Sequence, residues 1–369
     1  MHENREIALA LSGGGIRAMA FHSGVLLYLA EKNYLEKVCS ISSVSGGSLL
    51  IGMVYAENNC VWPTSKRYQD CIHSNIKNRL CTSNLQLRSA LALLKPINWS
   101  NILSRANVLA KTIEELWGIN SSMGGIADYP AWSINGTTAE NGKRFRFKND
   151  TFGDYHIGYS SSNEFKISKA IAISAAFPGG IGPLSINTDE YTWKKRKRWD
   201  DPPGTEKIVN SPYKKLHIYD GGVYDNLGTE PIFDSGKGSP KISGTSILVS
   251  DAGSPFQNRF SSWPLNPFRL KHILDICMDQ SRSLRVRSFM NYLKQDKKNG
   301  AYLMIGQHPQ EILGDNEISD GNWQSEDDVK QAASYKTDLL KISPSNFDRI
   351  ARHGYELAKS LDIVKHGFI

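Results

Sequence analysis

Three short runs carry residue types and spacings suited to nucleophilic chemistry. The first is Ser12-Gly13-Gly14-Gly15-Ile16-Arg17-Ala18, ahead of a segment with helical apolar spacing. Three residues without side chains let backbone N–H groups crowd one small volume, and the helix that follows adds the positive end of its dipole. Such a loop stabilises an anion, either a phosphate or the oxyanion of an acyl-transfer intermediate. The plainer alternative is a tight strand-to-helix turn. Gly13-x-Gly15-x-x-Ala18 also meets a loose dinucleotide-binding pattern, which requires an acidic residue at the end of the next strand. The next apolar run, Val38 to Val44, leads into Ser45 instead, and Glu36 stands at its wrong end. No Gly-Lys-Ser/Thr is present, so a P-loop is excluded.

The second run, Ser43-Val44-Ser45-Gly46-Gly47-Ser48, joins an apolar strand to a helix. A nucleophile elbow needs small residues on both sides of its serine, because a strained turn projects the hydroxyl. Ser43 takes the place usually held by glycine, and Ser45 would sit where the helix dipole favours developing negative charge. Taken alone, the run is also an ordinary helix start. One helix after a glycine-rich anion loop, it is more specific.

A serine hydroxyl needs a base, and the third run supplies a candidate. Leu216-His217-Ile218-Tyr219 reads as a strand, with Asp220-Gly221-Gly222 at its carboxyl end. Sites of open α/β sheets lie at such ends, which would put Asp220 on the rim that carries Ser45. Asp-Gly is equally a common turn. The rival base is a late histidine in a Ser–His–Asp esterase. His272, His308, His353 and His366 are available, none with a motif around it. The two-residue Ser45/Asp220 arrangement is preferred.

The positioning elements alternate at the start of the chain: strand at Ile7–Leu11, helix at 16–32, strand at Val38–Val44, helix at Ser48–Glu57. Short joints between them imply parallel strands with helical crossovers, an α/β class. Residues 58–150 are richer in Asn, Ser and Trp and read as a helical insertion or cap. Phe165–Phe177 has helical spacing. Leu216–Tyr219, Ser246–Ser250 and Ala301–Ile305 read as buried strands, with one long helix or two shorter ones between the last two. The acidic stretch Asp315–Gln331 reads as a surface loop, and a last helix is expected to start near Ser345. One large domain, 1–369, fits better than two.

In this order the three runs resemble the patatin-like phospholipase family and, more distantly, the catalytic domains of cytosolic group IV phospholipases. The resemblance implies a three-layer α/β fold, a mostly parallel central sheet flanked by helices, with the helical cap inserted. It implies an oxyanion hole at Gly13, Gly14 and Gly15 beside Arg17. It also implies a nucleophile at Ser45, flanked by Ser43, Gly46 and Gly47, and a base at Asp220, followed by Gly221 and Gly222. Ser174-Ala175-Ala176-Phe177-Pro178 is similar to the family's small-residue segment ahead of a proline. Ser43 and Ala18 stand where the family has glycine, and both stay small. The implied reaction is acyl transfer from membrane phospholipids in two steps, without metal or cofactor. The alternative is a silent member that binds lipid or a partner through the same fold.

Composition sets the frame. The chain has 369 residues and 40% apolar residues, which excludes disordered and fibrous classes. Five scattered cysteines suggest neither a disulfide scaffold nor zinc, and fit reduced thiols in a cytoplasmic protein. No run approaches the roughly 20 apolar residues of a membrane span, and the polar start is unlike a signal peptide. Contact with the inner face of a membrane would therefore be peripheral. The net charge of +7 permits an anionic partner. The run Lys194-Lys195-Arg196-Lys197-Arg198, between Trp193 and Trp199, suggests docking on an anionic bilayer. A solvated loop is the even alternative, and no motif supports nucleic acid. Free hydrolysis of a host membrane would be toxic. Gating by a partner, a small-molecule signal or oligomerisation, as in a bacterial defence effector, is the further expectation.

Overall fold

The computed structural model describes residues 5–94, 105–178, 180–198, 201–255, 263, 266, 268–314 and 322–367. Trp199 and the 315–321 part of the acidic stretch lie outside the described residues. The chain opens with β1 (Glu6–Leu11), α1 (Gly15–Glu31), β2 (Val38–Ser43) and α2 (Gly46–Glu57). Helical pieces follow as α3 (Ser65–Arg67), α4 (His73–Thr82), α5 (Leu85–Leu93) and α6 (Arg105–Trp117). Next come β3 (Ala131–Thr138), β4 (Arg144–Phe147), β5 (Thr151–Asp154), β6 (Gly158–Ser161) and α7 (Ile167–Ser174). Then β7 (Leu184–Asn187), β8 (Trp193–Lys195), β9 (Lys207–Val209) and β10 (Lys215–Asp220) lead to the single turn α8 (Gly222–Asp225). A small hairpin, β11 (Phe233–Asp234) and β12 (Ser239–Pro240), precedes β13 (Thr245–Asp251), α9 (Phe268–Leu293) and β14 (Gly300–Met304). The chain closes with α10 (Pro309–Leu313), α11 (Glu326–Ser334) and α12 (Pro344–Lys365).

Five strands, in the order β14-β13-β1-β2-β3, pair in parallel and form the centre of the sheet. Side chains alternate between the two faces of a strand, and β1 shows where each face goes. Ile7, Leu9 and Leu11 join the main core with residues of α1 and α12. Ala8 and Ala10 join a second core with Leu227, Phe233 and Phe289 of α9. Both faces are covered by helices, so β1 reads as an unbroken apolar run. The result is the three-layer α/β arrangement.

Beyond β3 the sheet turns antiparallel, through β4, β5, β6, β8 and β9. Here the chain departs from the sequence reading. The helical segment ends at Trp117, and residues 131–147 contribute two sheet strands. Their signal is alternation: Trp132 and Ile134, then Phe145 and Phe147, all buried. Lys194 and Lys195 belong to β8 rather than to a loop. The acidic stretch forms α11 from Glu326, with the Ser325 side chain capping its N-terminus and Glu326, Asp327 and Asp328 in its first turn. Negative charge there meets the positive end of the dipole, so acidity marked a helix start. The last helix is capped by Ser343, two residues before the expected serine.

Candidate active site

β3 changes partner part-way along its length, and this builds the site. Its residues 131–134 pair in parallel with β2, which ends at Ser43 opposite Ile134. On the same edge, residues 136–138 pair antiparallel with β10, which ends with Asp220 opposite Gly136. β4 occupies the other edge of both stretches. The carboxyl ends of β2 and β10 therefore approach each other head to head. Asp220 was expected on a common rim of parallel strands; it comes to Ser45 from the opposite direction.

Ser45 adopts φ 48° and ψ −116°, a left-handed conformation rarely taken by a non-glycine residue and held only where surroundings enforce it. Its N–H donates to Ser174 Oγ at 3.0 Å. A chain of buried hydroxyls continues below it. Ser174 Oγ lies 2.9 Å from Ser48 Oγ, and Ser48 Oγ lies 2.9 Å from Ser43 Oγ. Ser43 Oγ also accepts from Trp132 Nε1 at 2.9 Å. The serine in the usual glycine place thus has work of its own. A Cβ on Gly46 would collide with the carbonyl oxygen of Gly15, so the elbow and the glycine loop touch through backbone.

Asp220 is buried, and the Ser45 hydroxyl lies near enough to favour its ionised form. Gly222 N–H donates to its Oδ1 at 2.7 Å. Burial pushes the Asp220 carboxyl up to about 7, against the pull of the Gly222 hydrogen bond and the nearby Ser45 hydroxyl. A carboxylate with that affinity can take a serine proton and give it back near neutral pH. The Asp220 backbone is fixed as well: its N–H donates to Ala176 O at 3.1 Å and its carbonyl accepts from Thr137 Oγ1 at 2.8 Å.

In the glycine loop, Gly14 (φ 149°) and Gly15 (φ 58°) hold backbone angles that side chains resist. Gly13 N–H donates to Asn226 O at 3.1 Å and Ile16 N–H to Asp338 O at 2.8 Å. The Gly13 amide, expected among the oxyanion donors, is therefore engaged by Asn226 in this structure. Ile7–Leu26 is buried throughout except at Gly14, and Ser40–Tyr55 except at Ser45. The two buried layers open to solvent at these two residues.

Arg17 is buried and points inward. It donates to Ala252 O at 2.9 and 3.2 Å and to Tyr335 O at 2.6 Å. Burial lowers its affinity for the proton to about 10, offset in part by Asp251. It pins the loop and does not reach out for a lipid phosphate. The Cβ positions of Gly221 and Gly222 face Asn135 backbone and Asn226 Oδ1, so both glycines allow close packing around Asp220. Gly47 does the same against Leu11.

The rival histidines are held elsewhere. His353 is buried and accepts from Gly306 N–H, His308 caps α10, and His366 caps the end of α12. His272 lies on α9. The basic run sits on β8 and just after it, four strands from β3 along the sheet. At about 4.8 Å per strand that is roughly 19 Å. Trp193 is core, its indole donating to Thr188 O at 2.8 Å, so it cannot anchor in a bilayer. Among the described residues no three His, Cys, Asp or Glu side chains gather to hold a metal ion, and no helix is long and apolar enough to cross a membrane.

Sequence reading missed His22, Asn135 and Asn226. His22 lies under the loop, bonded to Ser12 O and Ser250 Oγ, and burial lowers its proton affinity to about 4. Asn135 donates to Ser43 O and Ser42 Oγ and ties β3 to the elbow. Asn226 stands six residues after Asp220, a spacing that could have drawn notice as Asp-Gly-Gly-x-x-x-Asn.

A family model described as patatin-like phospholipase matches residues 9–233. The solved structure of human GIVD cytosolic phospholipase A2 aligns with a TM-score of 0.55 at 14% identity, covering 99% of this chain and 61% of that one. The same human enzyme in complex with methyl gamma-linolenyl fluorophosphonate gives a TM-score of 0.53 at 14% identity, covering 99% and 59%. The chain thus spans about three-fifths of the solved structures it matches, and at this identity the likeness shows the fold. No curated protein matches by sequence.

Proposed function

Because the chain belongs to the patatin-like phospholipase family, whose model spans more than half of it, we propose that it is a serine acyl hydrolase of the phospholipase A type, using Ser45 and Asp220. One observation carries this reading. The strained Ser45 and the buried Asp220, far apart in sequence, come together where two strand ends converge beside an opening at Gly14, with the Ser45 hydroxyl near enough to favour the ionised Asp220 carboxyl.

The residues divide the reaction between them. Asp220 accepts the Ser45 proton as Oγ attacks an ester carbonyl. The N–H groups of Gly14 and Gly15 receive the oxyanion, each such donor contributing about 3–4 kcal/mol to the transition state. The amino end of α2, which begins at Gly46, adds its dipole. Asp220 then protonates the departing alcohol, and water repeats the sequence on the acyl-enzyme. Membrane phospholipids are the proposed substrate class, in keeping with the net charge of +7.

The test is release of free fatty acid from mixed phospholipid vesicles, followed by mass spectrometry, with wild type and Ser45→Ala side by side. Release by wild type and none above background by the variant is the expected outcome. Equal release by both would remove Ser45 from the reaction.

A further inference from the structure

The segment Ser174-Ala175-Ala176 touches both halves of the Ser45/Asp220 pair, and neither contact follows from secondary structure. Ser174 is the last residue of α7 and is fully buried. Its Oγ accepts the N–H of Ser45 at 3.0 Å. Two residues later, Ala176 O accepts the N–H of Asp220 at 3.1 Å. One tripeptide thus anchors the backbone amides of the proposed nucleophile and the proposed base, and sets the gap between them.

The Ser45 amide needs such an anchor. Ser45 lies past the end of β2 and ahead of the first helical residue of α2, so neither the sheet ladder nor the helix offers its N–H an acceptor. Its left-handed backbone has no intrinsic preference to persist. The hydroxyl of Ser174 is itself held by Ser48, which is held by Ser43, which accepts from Trp132. The chain of contacts runs from β3 through α2 to α7 and fixes where Ser174 Oγ stands.

We infer that Ser174 is a positioning residue for Ser45: its hydroxyl holds the left-handed elbow at the height where Ser45 Oγ meets Asp220. This rests on the reading of Ser45 as nucleophile. Ser174→Ala removes the acceptor and leaves the elbow free to relax. Ser174→Thr keeps the hydroxyl.

The experiment measures the rate at which a long-chain alkyl fluorophosphonate labels Ser45, together with kcat and KM on phospholipid vesicles, for wild type and both variants. In labelling, the Ser45 Oγ–P bond forms, the P–F bond breaks, and the hydroxyl proton passes to Asp220 as fluoride leaves. Misplacement of a reacting atom by about 1 Å can cost on the order of a hundredfold. Ser174→Ala is therefore expected to label about 10–100-fold more slowly, with a matching fall in kcat and little change in KM. Ser174→Thr should recover most of both. Thermal midpoints and circular dichroism show whether each variant is folded. Labelling of folded Ser174→Ala at the wild-type rate would overturn the positioning role and leave the Ser45 reading intact. So would a loss that Ser174→Thr shares in full while folded. Folded wild type left unlabelled at Ser45 would overturn both readings.

Discussion

Replacing Asp220 by Asn separates what the site costs the fold from what it gives the reaction. The Asp220 carboxyl is displaced from 3.8 to about 7, chiefly because ionisation in a buried site is disfavoured. In the unfolded chain it ionises near its ordinary value. Between those two pH values the folded state binds more protons than the unfolded one, so stability must fall as pH rises through the window. Three pK units at 1.36 kcal/mol each set the full cost at about 4 kcal/mol above pH 7. Asn cannot ionise, yet its Oδ1 can still accept from Gly222 N–H and its amide can donate to Ser45 Oγ. Asp220→Asn should therefore be more stable than wild type by about 4 kcal/mol at pH 8, by about 2 kcal/mol at pH 5, and by almost nothing below pH 4. In a chain of 369 residues, 4 kcal/mol corresponds to about 5 °C in the thermal midpoint. Urea or thermal unfolding of both proteins across that pH range reads the difference, and the variant should release no fatty acid. Stability curves that stay parallel from pH 5 to pH 8 would show that Asp220 ionises in the folded protein as readily as in the unfolded chain. The assignment of a desolvated base would then fail.

Two further outcomes follow from particular contacts. Ser43→Gly restores the family's usual glycine but removes the acceptor of the buried Trp132 Nε1–H. It should lower unfolding stability by about 1–3 kcal/mol, and a neutral result in urea unfolding would mean that the Ser43 hydroxyl is dispensable. For the basic run, Lys194 and Lys197 are exposed, whereas Arg196 is paired with Glu206 at 2.7 Å. If this edge docks on anionic lipid, the double Lys194→Gln/Lys197→Gln variant should bind phosphatidylserine vesicles roughly 30-fold more weakly, at ~1 kcal/mol per lysine. Unchanged cosedimentation would assign the run to solvent.

What the sequence made legible was local. Apolar runs and helical spacing gave β1, α1, β2 and α2 nearly to the residue, because these elements are buried on nearly every side and carry few polar interruptions. Residues 131–161 were harder. Four strands of four to eight residues, separated by tight turns, alternate too briefly to stand out beside the helical segment before them. Acidic residues at 326–328 looked like loop and are the first turn of α11. Trp193 beside five basic residues looked like an interfacial anchor. Its burial depends on β8 pairing with β6 and β9, which no neighbour in the chain reveals.

The candidate site shows the same division more sharply. Glycine, serine and aspartate could be picked out because their types are constrained by what touches them: Gly46 by the Gly15 carbonyl, Gly221 by the Asn135 backbone. Their meeting could not be read, because it depends on β3 exchanging β2 for β10 between Ile134 and Gly136. Had β10 been one more parallel strand, Asp220 would have stood beside the rim with a strand's width between it and Ser45. Approaching head to head, the two strand ends bring the two side chains close together while Gly136 keeps the junction narrow, its Cβ position facing Ile218 at 2.9 Å. The loop follows the same logic. Nothing in the sequence marks the amides of Gly13 and Ile16 as engaged, and only the long-range partners Asn226 and Asp338 show it. Types of residue are set by immediate neighbours. Which of them act is set by contacts that the fold alone supplies.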